Sequence, residues 1–175
     1  MEPITHAKPQ EQAVKAPYQA ERRLENGWCY QIHTAVDLLD LELIHNYLYH
    51  SYWSPGIPRA VVAEAVANSL NFGLYQQQDE SRRQVGFARV ITDYASFAYL
   101  ADVFVLPTHR GQGLGVWLIE TIIAHPRLQQ LRSFALATRD AHELYRKFGF
   151  ETVDSARYMV KRYDVAWRDQ ALARE

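Results

Sequence analysis

A glycine-rich run at residues 110–115 constrains the fold of this 175-residue chain more than any other feature. Gly111, Gly113 and Gly115 stand at every second position, directly after an apolar stretch at residues 100–106 and before a segment that predicts a helix. Glycines at this spacing allow positive φ and leave the backbone free of Cβ atoms. Several N–H groups can then converge on one anion at the positive end of a helix. We therefore expect a strand-to-helix junction that binds a phosphorylated cofactor.

The spacing of these glycines excludes the two commoner phosphate-binding patterns. A dinucleotide-binding loop requires G-x-G-x-x-G with an acidic residue about 20 positions later, and a P-loop requires Lys-Ser or Lys-Thr after its last glycine. Residues 103–115 instead closely resemble the acyl-coenzyme A loop of the GNAT superfamily of N-acetyltransferases. The signature of that loop is Arg or Gln, two residues, Gly, one residue, then Gly or Ala, and Arg110, Gly113 and Gly115 match it.

A second segment, residues 141–150, resembles the helix and following strand that complete the cofactor site in the same superfamily. With the order of elements around the two segments, the resemblance covers roughly residues 27–162. It implies an α/β (α+β) GNAT fold, in which a mixed central sheet of about seven strands, splayed at the cofactor site, is flanked by about four helices.

Composition places the chain in a broad class. It is 48% hydrophobic and is expected to form one domain, and its 19 basic and 20 acidic residues argue against a broad nucleic-acid-binding face. No stretch of about 18 apolar residues predicts a membrane span, and the lone Cys29 excludes an intrachain disulfide. The first residues lack the apolar region of a secretion signal, so we expect a cytoplasmic protein, and we expect no metal site.

The pattern along the chain predicts three parts: a flexible extension at residues 1–25, the acetyltransferase domain at residues 26–163 and a tail at residues 164–175 that could add a short helix. The fold is expected to start near Trp28, and Asp37 is expected to cap the first helix. Predicted strands lie at residues 28–33, 72–76, 84–91, 98–105, 133–137, 150–153 and 158–162, and predicted helices at residues 37–48, 58–71, 116–125 and 140–148.

The resemblance implies which residues bind the acyl donor. The thioester carbonyl would lie against the backbone of Val103, Phe104 and Val105, where an N–H group would stabilise the oxyanion. Backbone N–H groups of the following loop would hold the pyrophosphate, with a positive charge added by the arginine: Arg110, Gly111, Gln112, Gly113, Leu114 and Gly115. Alternatively, Arg110 is a surface residue near a turn, because backbone groups alone can bind phosphate.

Tyr145 occupies the position at which many GNAT enzymes carry the general acid that protonates the departing thiolate. Proton transfer from a phenol with a pKa near 10 to the thiolate of a thiol with a pKa near 8.5 is unfavourable by about 1.5 pKa units. We therefore expect that orientation and a site that favours tyrosinate assist the transfer. The alternative is a tyrosine that packs with Leu144 and Phe148 and only binds the cofactor. Thr138 replaces an asparagine that is common in the family, which leaves open how this loop holds the pantetheine arm.

The general base is where the sequence departs from the family. Some polyamine-type relatives carry a glutamate nine residues before the arginine, and Ala101 stands there in this chain. Asp102 is adjacent and is our candidate base, although it faces away from Ala101 unless a bulge resets the register, and a structural acid paired with an arginine or with the backbone is the commoner outcome. Further candidates are Glu143, His142, Asp93 and a water chain.

The acceptor is expected to bind near Tyr52 and Trp53, whose rings could surround an ammonium group or an aromatic ring or could belong to the core. Arg89 lies on an apolar strand face and requires a partner. That partner is either an internal acid, Asp93 or Asp102, or the carboxylate of an amino-acid-like substrate, and we favour the internal acid.

Together these residues predict an acetyl-CoA-dependent N-acetyltransferase that acts on a small-molecule amine through a direct ternary complex. One alternative is acetylation of a protein lysine or N-terminus, which would predict an open groove. A second is an acyl-CoA-binding sensor without turnover, which the alanine at position 101 makes conceivable and Tyr145 argues against. Homodimers are common in the family, but this sequence alone does not establish one.

Overall fold

The computed structural model describes residues 16–78, 81–153, 158–163 and 165–167. Six strands and four α-helices are described within these ranges, in the order β1 (Gln19–Arg23), β2 (Cys29–His33), α1 (Leu41–Tyr49), α2 (Arg59–Ala67), β3 (Leu70–Gln78), β4 (Ser81–Thr92), β5 (Phe97–Val105), α3 (Leu114–Ile123), β6 (Ser133–Leu136) and α4 (His142–Arg146). None of the helices in these ranges is long and apolar enough to cross a lipid bilayer.

The strands form one sheet in the order β1-β2-β3-β4-β5-β6. The first five are antiparallel neighbours, and β6 runs parallel to β5. A parallel neighbour needs a long crossover connection, and α3 supplies it between β5 and β6. The predicted mixed sheet with four flanking helices is confirmed.

Two segments near the ends of the described residues differ from expectation. Residues 19–23, assigned from sequence to a flexible extension, form β1 and pair with β2 over the whole strand. Its polar sequence gives no hydrophobic alternation, but Arg22 pairs with Glu120 of α3 at 3.0 Å and lies over the ring of Trp117, which places this edge strand against a helix. The strands predicted at residues 150–153 and 158–162 do not form in the part of these segments that is described. Most of the predicted tail, residues 164–175, lies outside the described residues.

Helices cover both faces of the sheet. On one face α3 and α4 pack on the sheet in a cluster that includes Phe72, Leu118 and Tyr145. On the other face α1 and α2 pack against Phe87 of β4 and Phe104 of β5. The first helix begins later than predicted: Asp40, not Asp37, accepts a hydrogen bond from the Leu43 N–H at 2.9 Å, while Asp37 lies in a preceding 3-10 turn.

Candidate active site

The functional site begins where β5 and β6 part. The two strands pair from Phe97 and Ser133 to Leu100 and Leu136, and β6 ends there while β5 continues to Val105. A cleft of about 1400 Å³ opens between the unpaired half of β5, the segment after β6, and α1 with the loop that follows it. The predicted splay of the sheet therefore lies directly before the glycine loop.

A bulge in β5 shapes one wall of this cleft. Phe104 pairs with Phe87 and Ala101 pairs with Arg89, so two residues of β5, Asp102 and Val103, lie opposite a single residue of β4. Asp102 adopts a left-handed conformation with φ of 54°. Aspartate and asparagine tolerate this region better than most other residues that carry a Cβ.

The bulge is followed by a backbone donor that faces the cleft. The Leu106 N–H donates to the Val85 carbonyl of β4 at 2.8 Å. Because N–H groups alternate along a strand, the N–H of Val105 points away from β4, toward the side on which β6 has ended. The sequence predicts an oxyanion donor here, and the geometry leaves this N–H available for that role.

The glycine loop leaves open space above its backbone. Gly111 and Gly113 have φ of 75° and 73°, and a Cβ at either would meet no other atom within 4 Å. Gly113 caps α3, whose first-turn N–H groups have no acceptor within the helix. A Cβ at Gly115 would reach only a methyl group of Val105, at 4.0 Å. This space and these donors fit the diphosphate of coenzyme A.

Arg110 behaves differently from the sequence prediction. Its Nε donates to the Val105 carbonyl at 2.9 Å, and one Nη donates to the Tyr47 hydroxyl at 2.8 Å. The side chain lines the cleft but connects the glycine loop to β5 and α1. A charge contribution to phosphate binding by Arg110 stays a prediction.

The other residues predicted to bind the donor differ in whether their side chains or only their backbone groups can face a ligand. The Leu114 side chain is buried in the core, so only its backbone can face a ligand. Gln112 hydrogen-bonds with the Tyr30 side chain, whose pKa is raised by burial. The Phe104 ring stacks on the Tyr47 ring with centroids 3.8 Å apart, and Val103 lines the cleft.

Arg89 and Asp102 form an ion pair beside the bulge. Their side chains are 16% and 9% exposed, and Arg89 Nη1 also donates to Ser69 Oγ at 3.3 Å. The prediction that an internal acid pairs with Arg89 is confirmed, with Asp102 as the partner. The Asp102 carboxylate is engaged by a largely buried guanidinium, so the geometry favours a structural role for Asp102.

Asp93 lies away from the cleft, in the turn between β4 and β5. It accepts hydrogen bonds from the Ser96 hydroxyl and from backbone N–H groups of the same turn, which hold its pKa well below the ordinary value. Glu143 pairs with Arg146 on the exposed side of α4. Neither acid lines the cleft, and His142 lines a second, neighbouring cavity instead.

Tyr145 of α4 lines the cleft and is only 9% exposed. Its ring packs edge-on against Phe150, with centroids 5.9 Å apart. Burial, with smaller contributions from Tyr52 and Asp140, raises the pKa of Tyr145 to about 12. Desolvation penalises the anion, so burial favours the neutral phenol, opposite to the expectation of a site that favours tyrosinate.

The predicted acceptor segment lines one side of the cleft. The Tyr52 and Trp53 rings meet edge to face, with centroids 4.9 Å apart. The guanidinium of Arg139 lies 3.8 Å from the Tyr52 ring centroid, and the Tyr52 hydroxyl donates to Asp140 Oδ1 at 3.3 Å. The cation on Tyr52 is thus supplied by the protein. Sequence reasoning missed Arg139, whose only signal was its position in the loop before α4.

Comparisons with known proteins agree with this geometry. A family model described as an acetyltransferase (GNAT) domain matches residues 70–152. A Gibberella zeae protein named as an acetyltransferase is 32% identical over 137 residues, which is 67% of this chain and 76% of that protein. The crystal structure of an acetyltransferase assigned to the GNAT family, from Xanthomonas campestris pv. campestris, is 48% identical with a TM-score of 0.70, covering 77% of this chain and 93% of the other. A Glycine max protein named histone acetyltransferase TAP1 is 39% identical over 125 residues, 66% of this chain and 52% of that protein.

Proposed function

Because the chain belongs to the GNAT acetyltransferases, we propose that it transfers the acetyl group of acetyl-CoA to the primary amine of a small molecule or amino-acid-like compound. The observation that carries this proposal is the parting of β5 and β6 beside the glycine loop, where the Val105 N–H and the Tyr145 side chain line the same cleft. Membership of the family makes the protein an acyltransferase; the acceptor and the order of events are our proposal.

Donor binding is assigned to backbone groups. The N–H groups of residues 111–116 would hold the diphosphate, since α3 begins at Leu114 and the two loop glycines before it, Gly111 and Gly113, have positive φ. The Val105 N–H would donate to the thioester carbonyl oxygen as negative charge develops on it. A preorganised donor of this kind contributes roughly a hundredfold to a thousandfold in rate.

Tyr145 would stabilise the departing sulfur by a hydrogen bond. With a phenol pKa of about 12 and a thiol pKa of about 8.5, complete proton transfer is uphill by about 3.5 units, or roughly 5 kcal/mol. A hydrogen bond from a neutral donor to a charged acceptor contributes about 1.5–3 kcal/mol without moving the proton. The neutral phenol is therefore the useful form, and burial keeps it neutral.

The state of two candidate nucleophiles, Cys29 and Ser51, supports direct transfer of the acetyl group from donor to acceptor. Cys29 lies on β2, outside the cleft, and burial together with its hydrogen bond to Glu21 raises its pKa. Ser51 lines the cleft, but its hydroxyl donates to the Leu48 carbonyl at 2.7 Å. Neither side chain is arranged as an activated nucleophile, so we favour a ternary complex over an acetyl-enzyme.

The acceptor side supports a small molecule over a protein. The contact of Arg139 and Asp140 with Tyr52 joins the loop after α1 to the loop before α4. These contacts hold together two loops that line the cleft, which supports a small acceptor over an extended polypeptide. One relative is named a histone acetyltransferase, and this chain spans about half of it, so a lysine peptide belongs among the acceptors to be tested.

The test is release of thiol from acetyl-CoA over a panel of amines: the amino acids, spermidine, glucosamine and a lysine-containing peptide. Cofactor binding is measured separately by calorimetry. We expect binding of acetyl-CoA, turnover on at least one small amine and slower turnover of Tyr145→Phe. Binding without turnover on any amine would contradict the proposal, and turnover on the peptide alone would replace the small-molecule acceptor with a protein.

A further inference from the structure

The polar side chains that line the cleft are mostly engaged with one another. Asp102 is paired with Arg89, Asp140 accepts from Tyr52, and the Ser51 hydroxyl donates to a backbone carbonyl. An attacking amine must lose a proton as its bond to carbon forms, so the site needs an acceptor that is not already bound. Within the described part of the cleft, one histidine offers a ring nitrogen that makes no hydrogen bond: His50, at Nε2.

His50 ends α1, and its tautomer is set by the helix itself. Its Nδ1 lies 2.8 Å from the Asn46 carbonyl oxygen. A carbonyl oxygen can only accept a hydrogen bond, so Nδ1 carries the hydrogen. In the neutral ring the lone pair is then on Nε2, the nitrogen that a general base requires.

The position of His50 places it on the acceptor side of the cleft. It follows Tyr47 by three residues, and residues with this spacing lie on the same side of a helix. Tyr47 stacks on Phe104, the residue before the Val105 N–H that faces the cleft. Asn46, Tyr47 and His50 all line the cleft. His50 is exposed, so an amine or a bridging water can reach Nε2.

The other histidines near α1 and α4 do not share this arrangement. His45, on the same helix, uses Nε2 in a hydrogen bond to the Ile57 carbonyl at 3.0 Å and does not line the cleft. His142 lines the other cavity, with Ile123 and Phe134.

We propose that His50 Nε2 accepts the proton that the amine loses during acetyl transfer, an inference that rests on the proposed function. The amine nitrogen forms a bond to the carbonyl carbon, and the electron pair of the carbon–sulfur bond moves to sulfur. The proton passes from nitrogen to His50 Nε2 and then to solvent, and the thiolate takes up one proton from solvent. Tyr145 donates a hydrogen bond to the sulfur meanwhile.

Other ionisable groups share the cleft with His50. The charged side chains that line the same cleft are Arg89, Asp102, Arg110, Arg139, Asp140 and Arg162, and the titratable hydroxyls are those of Tyr47, Tyr52, Tyr99 and Tyr145. Asp102 is paired with Arg89, Asp140 accepts a hydrogen bond from Tyr52 at Oδ1, and burial raises the pKa of Tyr145. His50 is the one histidine among the described residues that line this cleft, and its Nε2 is free to accept a proton.

Two substitutions at His50 and one control separate this role from a structural one. His50→Asn places an amide nitrogen near the position of Nδ1 and retains a donor for the Asn46 carbonyl, but it has no basic nitrogen. His50→Ala leaves space for added imidazole. The matched control is His45→Gln, whose amide nitrogen can replace Nε2 as donor to the Ile57 carbonyl outside the cleft.

Turnover is measured with whichever amine of the panel the parent acetylates fastest. We expect kcat of His50→Asn to fall by about a hundredfold or more, with its acidic pH limb lost and the Kd for acetyl-CoA within about twofold. Imidazole should restore His50→Ala at least in part, and His45→Gln should match the parent. An active parent with His50 variants within about threefold of it would overturn this inference alone. A parent that acetylates no amine would overturn the proposed function and this inference with it.

Discussion

Replacing Asp102 by asparagine breaks the ion pair beside the bulge and preserves the backbone conformation that the bulge requires. Removal of one member of a buried pair costs about 3–5 kcal/mol, because the other charge stays desolvated. Arg89 is 16% exposed and keeps its hydrogen bond to Ser69, so we expect a loss near the lower end, about 3 kcal/mol. For a chain of this size that loss lowers Tm by roughly 6–12 °C.

Two companion variants divide this loss into its causes. Asp102→Ala must also hold a left-handed φ of 54° without the tolerance of Asp or Asn, so it should be about 1 kcal/mol less stable than Asp102→Asn. Arg89→Met combined with Asp102→Asn removes the unpaired charge and should recover much of the stability. Urea unfolding of the three variants and the parent measures these differences.

The results also decide what Asp102 does in catalysis. If the carboxylate only holds the bulge that precedes Val105, activity should recover together with stability in the double variant. An Asp102→Asn protein as stable as the parent would refute the account of the ion pair. A double variant that is stable yet inactive would favour Asp102 as the proton acceptor and argue against a structural role.

The glycine loop, the buried phenol of Tyr145 and the buried hydroxyl of Tyr75 each predict a measurable result. Gly113→Ala should lose about 1 kcal/mol of unfolding free energy and bind acetyl-CoA more weakly in calorimetry, since φ there is 73°, whereas Gly115→Ala should retain both properties. Because burial raises the pKa of Tyr145 to about 12, the stability gained from its neutral phenol is complete below about pH 10 and is lost as pH rises toward 12. Tyr145→Phe should flatten that part of the stability profile and lower kcat about tenfold with KM for acetyl-CoA unchanged. Tyr75→Phe removes a buried hydroxyl that has no hydrogen-bond partner among the described residues, so denaturant unfolding should show unchanged stability or a gain of about 1 kcal/mol. A loss above about 1 kcal/mol would contradict the missing partner.

The sequence predicted the fold best where hydrophobic periodicity is strong. β3, β4, β5 and α3 lie within a few residues of their predicted positions, since their apolar side chains are those of the two cores. It failed at β1, whose polar side chains show no alternation and whose position depends on pairing with β2. The start of α1 was ambiguous because Asp37 and Asp40 are equally good capping residues, and only the backbone distinguishes them.

The candidate site was predictable in its backbone and less so in its side chains. Positive φ at Gly111 and Gly113 follows from residue type. The bulge at Asp102 does not, because the register of one strand depends on its neighbour. The contacts of Arg110 and Arg139 join segments that are far apart in sequence, and no local pattern predicts them.

Tyr47 connects three parts of the site through one side chain. Its ring lies on Phe104 of the bulged strand, and its hydroxyl accepts from Arg110 of the glycine loop, while its backbone belongs to α1. None of the three can shift without breaking the stack or the hydrogen bond. An attempt to engineer a new acceptor range by mutating α1 must therefore leave Tyr47 intact, or the donor half of the enzyme will be altered along with the acceptor half.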